Sequence, residues 1–90
     1  MKVGISASEI EALAALANHC CASGDDPAAA LRRILPRITV TQCAAADVVE
    51  TPFATGEYCD LHLVDGSSHC WQLTTDPTAA TGVLLAMHRP

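Results

Sequence analysis

The stretch that organises the fold is Cys59-Asp-Leu-His-Leu-Val-Asp-Gly-Ser-Ser-His-Cys-Trp-Gln-Leu-Thr74. Two runs rich in β-forming residues flank its Asp65-Gly66 dipeptide, and Asp-Gly between such runs is a strong hairpin signal. We therefore expect strands near residues 57–64 and 69–74. The stretch also holds two cysteines, two histidines and the single tryptophan, so it concentrates side chains that can carry chemistry.

A helix over residues 9–22 is predicted near the N-terminus. Apolar residues recur there at helical spacing, and a glycine follows the last of them. Two capping boxes are available at its start, Ser8 with Glu11 and Ser6 with Glu9. Either one places acidic residues in the first turn, where the helix dipole favours them.

Two further helices are predicted from a shared start signal, an acidic residue followed by proline. The signal at Asp26-Pro27 begins a helix over 27–35, and the one at Asp76-Pro77 begins a helix over 77–88. The link between the first two helices is short, so these two helices are expected to form an antiparallel hairpin.

Residues 37–43 alternate β-branched and polar side chains, which predicts a half-buried strand. Residues 44–56 show no clean period, and Pro52 and Gly56 break regular structure. A connection of this length either folds locally or has a function of its own. Phe53 is its largest apolar side chain, and we expect it to dock the connection onto the sheet or to contact a partner.

The resulting order is helix, helix, strand, strand, strand, helix. It predicts a single two-layer α+β domain over residues 1–90, with an N-terminal helical hairpin, a three-stranded antiparallel meander and a C-terminal helix. Such a sheet keeps two edges, so pairing with a second copy into a homodimer is expected at an edge strand.

The charge and hydrophobicity of the chain limit which partners it can bind and in which compartment we expect it. The formal net charge is −5, with five dispersed basic residues, which argues against nucleic acid and against an anionic membrane surface. No apolar run reaches the roughly 18–20 residues of a membrane-spanning helix. Acidic residues interrupt the apolar N-terminal segment, so export is disfavoured and a cytoplasmic location with reduced thiols is expected.

Cysteine and histidine on the hairpin suggest a soft-metal site, for zinc or iron, if strand geometry allows it. Neighbouring strand residues face apart, so the hairpin register decides which side chains meet. A two-residue turn at Asp65-Gly66 places His62 opposite His69. A three-residue loop ending at Gly66 keeps most large apolar residues together, and we prefer it for that reason.

The preferred register gathers Asp60, His62, Cys70 and Gln72 on one face, with Cys43 reaching them from the first strand. The candidate metal ligands are therefore Cys43, His62 and Cys70. Asp60 and Phe53 are candidate interaction residues. No glycine-rich loop or nucleophile motif accompanies them, so an enzymatic function is not expected.

One part of the chain resembles a known family. The resemblance covers residues 61–86 and is carried by Leu63-Val64-Asp65-Gly66, His69-Cys70, Leu73-Thr74-x-Asp76-Pro77 and Ala80-Thr81-Gly82-x-Leu84-Leu85-Ala86. These segments are similar to small uncharacterised proteins encoded in bacterial nitrogen-fixation gene clusters. The resemblance implies a cytoplasmic accessory protein near nitrogenase or its assembly, and no site residues.

Two functions from different classes follow. The first is a small acidic interaction protein, expected to self-associate, that docks onto a nitrogenase-related partner through a sheet edge or the connection 44–56. The alternative is an accessory protein that handles a metal or metal cluster through the cysteine and histidine side chains of the sheet.

Overall fold

The structure, a computed structural model, describes residues 4–67 and 71–88. Within them, two helices and a four-stranded mixed sheet form an α+β architecture, as expected in outline. The elements are α1 (Ala7–Ser23), α2 (Pro27–Ile34), β1 (Thr39–Ala44), β2 (Cys59–Asp65), β3 (Gln72–Thr74) and β4 (Gly82–Met87).

The start of α1 uses one of the two predicted capping boxes. The Glu9 backbone N–H donates to Ser6 Oγ at 3.2 Å, and the Ser6 N–H donates to Glu9 Oε1 at 2.9 Å. Together these bonds satisfy two backbone donors that a helix start otherwise leaves open. The helix therefore begins at Ala7, two residues before the predicted start, and Gly24 ends it with φ of 79°.

The predicted C-terminal helix over 77–88 is wrong. The Asp76-Pro77 signal starts only one 3-10 turn, Pro77–Ala79, and the chain continues as β4. Residues 83–87 form a continuous apolar run, and residues 82–86 are all buried. A strand with neighbours on both sides and cover on both faces reads as such a run, which periodicity alone does not separate from a helix.

The predicted three-stranded meander is also wrong. The strand order is β1-β4-β2-β3, so β4 lies between β1 and β2. It pairs with β1 in parallel and with β2 in antiparallel orientation. Only β2 and β3 are antiparallel neighbours as the meander required. The most apolar strand takes a central position, because there it is removed from water most completely.

Both helices pack on one face of the sheet. The buried cluster on that face joins the inward side of α1 and α2 to alternate residues of three strands. Its strand members are Val40 on β1, Val83 and Leu85 on β4, and Cys59, Leu61 and Leu63 on β2. The opposite face is called the outer face below.

Both predicted hairpin registers are wrong. Val64 pairs with Leu73 and Asp65 with Gln72, so the connection between β2 and β3 spans residues 66–71. The hydrogen bonds of Asp65 explain why the tight turn does not form. The Asp65 carboxylate accepts from the Ser67 backbone N–H at 3.0 Å and from the Ser67 hydroxyl at 2.6 Å. This Asx-type turn replaces the tight Asp-Gly turn. His69, in both registers, lies outside the described residues.

Residues 44–56 fold locally, which was one of the two expectations for them. Ala45–Asp47 forms a 3-10 turn, and the segment then reaches the edge of β2. There the Ala54 N–H donates to the Leu61 carbonyl at 3.0 Å, and the Leu61 N–H returns a bond at 2.8 Å. This bridge continues the sheet edge beyond β3.

Asn18 on α1 fastens the start of β2. Its Oδ1 accepts from the backbone N–H groups of Tyr58 at 2.8 Å and Cys59 at 3.1 Å. Its Nδ2 donates to the carbonyls of Cys59 at 3.3 Å and Ala14 at 2.9 Å. The amide lies against Gly56, where any Cβ would overlap it. A single side chain thus satisfies both backbone groups of the first residue of β2.

Replacing Asn18 with alanine should destabilise the fold by about 2–3 kcal/mol, because it leaves part-buried backbone groups without partners. Urea denaturation followed by circular dichroism measures this change. His19→Ala, at the neighbouring exposed position of the same helix, is the matched control and should change stability by less than about 0.5 kcal/mol. Equal midpoints for the two variants would contradict the role given to Asn18.

Candidate functional site: the outer face of the sheet

The outer face is ordered by the strand register into three rows. Residues directly paired across the strands point to the same side of the sheet. The rows are Cys43–Ala86–Asp60, then Thr41–Leu84–His62, then Thr39–Gly82–Val64–Leu73. Every row crosses β4, so the side chains of β4 separate those of β1 from those of β2.

Two adjoining hollows lie on this face, with volumes of about 550 Å³ and 410 Å³. Both are lined by Thr41 on β1 and by Trp71, just before β3. The indole of Trp71 is 54% exposed, which is unusual for the only tryptophan of a small chain. A large apolar side chain therefore stands partly in solvent beside a concave surface.

β1 and β4 approach each other closely beside the larger hollow. Gly82 contributes no side chain, and a Cβ there would lie 2.6 Å from the Thr39 carbonyl oxygen and would overlap the Thr39 hydroxyl. The Thr39 side chain occupies that position and lines the hollow together with the short, buried Val64. The close approach of the two strands at this point therefore requires glycine.

The two ends of this surface differ in charge. Arg37 lines the larger hollow, although its guanidinium also donates to Glu9 at 3.0 Å and to the Gly4 carbonyl at 2.8 Å. Asp47 and Glu50 line the smaller hollow. The outer face thus has a basic end whose charge is partly neutralised and an acidic end with two carboxylates.

The structure separates two of the predicted metal ligands. Cys43 and His62 do share the outer face, but β4 lies between them with Leu84 at the level of His62. The backbones of β1 and β2 are thus about 9.6 Å apart, which is two inter-strand spacings, and the β4 side chains lie between Cys43 and His62. Cys70 lies outside the described residues, so the three-residue set stays a prediction.

The surroundings of the two described ligands also differ. Burial, and then the nearby Asp47 carboxylate, raise the pKa of the Cys43 thiol, which disfavours the thiolate that binds metals. His62 is 4% exposed and lines a small cavity with Phe53 and Leu73. Among residues 4–67 and 71–88, no three histidine, cysteine or acidic side chains converge as a metal site requires.

The family comparison bears on most of the chain. A model of a family of unknown function (DUF6129) matches residues 13–88. The chain belongs to this DUF6129 family. Neither the comparison with curated proteins nor the comparison with solved structures finds a match. The matched segment of this DUF6129 protein contains both helices from Leu13 onward and all four strands, so it includes the whole outer face.

One further property of the DUF6129 chain concerns membranes. Within the described part of the chain, no helix has both the length and the apolar character needed to cross a lipid bilayer.

The predicted interaction residues have distinct surroundings. Phe53 is 41% exposed at the side of the outer face, while its backbone N–H donates to the Leu61 carbonyl at 2.9 Å. Asp60 Oδ1 accepts from the Gly56 N–H at 3.3 Å and lies 3.0 Å from His88 Nε2. Asp60 therefore joins the end of β4 to the segment before β2, a role that no sequence pattern signals.

Sequence reasoning missed a role for His88, which it placed at the end of the predicted helix over 77–88. Its Nδ1 lies 3.0 Å from the Glu57 carbonyl, and its backbone N–H donates to the Tyr58 carbonyl at 2.9 Å. Hydrogen bonding to Asp60 and then to the Glu57 backbone raises the pKa of His88 above its usual value. The two ring nitrogens face acceptors, which both favour the protonated ring.

The His88–Asp60 pair should therefore stabilise the fold at mildly acid pH. A folded-state pKa above the unfolded value gives a stability contribution that is complete below the unfolded pKa of about 6.5. The contribution is lost as the pH rises through the raised folded-state pKa. His88→Gln should thus lower the urea midpoint more at pH 5.5 than at pH 9.

His19→Gln, at an exposed position of α1, is the control for the loss of a histidine as such. Nuclear magnetic resonance titration of the His88 imidazole gives an independent measurement. If His88 titrates at or below the pKa of about 6.5 typical of free histidine, the interaction with Asp60 does not hold the proton.

Proposed function

We propose that this protein is a non-catalytic interaction module that binds a partner protein on its outer face. The observation that carries the proposal is Trp71, 54% exposed beside two hollows on the sheet face that the helices leave free. Tryptophan is among the residues that most often dominate the energy of a protein interface. A partner side chain that fills the hollow would remove this indole from water.

The surrounding residues define the partner's chemistry. The lining of the hollows is largely aliphatic, aromatic and hydroxyl-bearing, which suits contact with an apolar side chain. Asp47 and Glu50 at one end favour a lysine or arginine next to that side chain. The net charge of −5 attracts the same kind of partner at longer range. The proposed occupant is thus a protein segment with an apolar anchor and an adjacent basic residue.

Edge pairing between two copies is the less favoured mode of association. The outward-facing carbonyl of Val40 on the edge strand β1 accepts from Arg32 Nη2 at 2.6 Å. A charged side chain placed along an edge strand hinders pairing with another chain. The other edge combines the three-residue β3 with the bridge at Ala54. The homodimer therefore stays a prediction, and sedimentation of the purified protein measures it.

The biological setting of the proposal comes from the resemblance over residues 61–86. It supports an accessory role in the cytoplasm of nitrogen-fixing bacteria, with a nitrogenase-related protein as the partner. Residues 61–86 contribute three of the four strands that form the outer face, because they contain most of β2, all of β3 and most of β4. Residues 61–86 also fall inside the segment that matches the DUF6129 family.

The test uses tagged full-length protein as bait in an extract of bacteria grown on dinitrogen, followed by titration with the purified candidate partner. Trp71→Ala should weaken binding by about 30-fold, as expected when an interface anchor is truncated. The double variant Asp47→Asn/Glu50→Gln should weaken binding by less and reduce its dependence on salt.

Ile34→Ala is the matched control, because Ile34 is 53% exposed on α2, in the layer on the other side of the sheet. It should bind like the wild type. Equal binding by the Trp71→Ala variant would contradict the outer face as the docking surface. A partner bound through Trp71 but unrelated to nitrogen fixation would contradict only the biological setting.

A further inference from the structure

Two cysteines meet where the end of α1 lies against the start of β2. Cys21 is in the last turns of α1 and is partly buried, whereas Cys59 is the first residue of β2 and is 2% exposed. Both are free thiols in the structure. Neither belongs to the outer face, so the proposed partner site does not involve them.

The position of Cys59 relative to α1 is fixed by its backbone. Asn18 binds both the N–H and the carbonyl of Cys59, at 3.1 Å and 3.3 Å. Cys21 follows Asn18 by three residues on the same helix, and residues at that spacing share one helix face. Cys21 also packs against the buried cluster that contains Cys59. Three hydrogen bonds of one side chain thus hold the helix turn that carries Cys21 against the start of β2.

The thiol groups of this pair influence each other. Burial raises the pKa of Cys59 to about 12, with further contributions from the charge and hydrogen bond of the Cys21 thiol. Cys59 is therefore a protonated thiol near neutral pH, held beside the helix turn that carries Cys21. Cys21 is also the more accessible of the two, so it is the sulfur that an oxidant from solvent reaches first.

We propose that Cys21 and Cys59 form an intramolecular disulfide when the protein reacts with a small disulfide such as oxidised glutathione. The first step is attack by the Cys21 thiolate on one glutathione sulfur. The glutathione S–S bond breaks, one glutathione thiolate leaves and takes up a proton, and a mixed disulfide forms on Cys21.

The second step closes the protein disulfide. Cys59 gives up its proton and attacks the Cys21 sulfur, which breaks the mixed disulfide and releases the second glutathione as a thiol. In sum, two protein thiols are oxidised and one glutathione disulfide is reduced to two thiols. The high pKa of Cys59 makes the second step the slower one and makes it faster as the pH rises.

The crosslink would tie α1 directly to the start of β2 and close a loop that contains residues 22–58. Loops of this length give large disulfide stabilisation, since the crosslink restricts the unfolded chain most when its ends are far apart in sequence. The helix α1 would then be attached to the sheet by a covalent bond as well as by the hydrogen bonds of Asn18. The oxidised and reduced proteins would differ in stability without any change in the residues that line the hollows.

The test is incubation of the folded protein with oxidised glutathione, acid quenching and tandem mass spectrometry of Glu-C fragments. Titratable thiols should fall from five to three, and the crosslinked fragments should join Cys21 to Cys59. The unfolding temperature should rise by roughly 10 °C and return on addition of dithiothreitol.

Single variants separate the steps. Cys59→Ala should retain glutathione on Cys21, because the resolving thiol is missing, and circular dichroism should establish that this variant folds. Cys21→Ser should form neither the adduct on this pair nor the crosslink. Cys20→Ser and Cys43→Ser are the controls and should crosslink like the wild type.

Three outcomes would overturn the proposal. One is a crosslink that joins Cys20, Cys43 or Cys70 in place of this pair. Another is a folded protein that keeps all five thiols while the urea-unfolded protein oxidises. The third is a Cys59→Ala variant that folds and carries no glutathione on Cys21.

Discussion

The burial of β4 is the constraint on which the rest of the structure depends. Its residues 82–86 are all buried, with a neighbouring strand on each side and the helices packed over one face. Val83 and Leu85 join the core under the helices, while Leu84 and Ala86 point to the outer face. β4 follows β1, β2 and β3 in sequence, and yet it lies between β1 and β2 in the sheet.

That arrangement also determines what the outer face offers. With β4 between β1 and β2, the side chains of Cys43 on β1 and of Asp60 and His62 on β2 are separated by those of β4. Trp71 borders both hollows on this face, and the acidic pair Asp47 and Glu50 borders the smaller one. A contact surface is therefore built from loops and strand ends, whereas the helices and Asn18 hold the sheet from behind.

The signals that predicted structure correctly were local ones. Ser6 with Glu9, and Asp26 before proline, are capping arrangements whose bonds lie within three residues, so the sequence contains every atom that they need. The same kind of signal at Asp76 predicted one helical turn correctly but not the structure that follows it. The buried run after that turn forms a strand, because it pairs with segments that are distant in sequence. For the candidate site, the sequence predicted that Cys43, Asp60 and His62 share a face, but not that β4 lies between the strand of Cys43 and the strand of His62.

The sequence by itself determined the two N-terminal helices, the existence of β1, β2 and β3, and the mixed α+β class, since short-range capping and side-chain alternation specify these elements. Only the tertiary structure decided that residues 82–87 form a strand, that this strand separates β1 from β2, and that the connection after Asp65 is wide. It also decided the meeting of Asn18 with Cys59 and of Asp60 with His88. These outcomes depend on pairing between segments distant in sequence, where burial of the whole core outweighs the preference of any one segment.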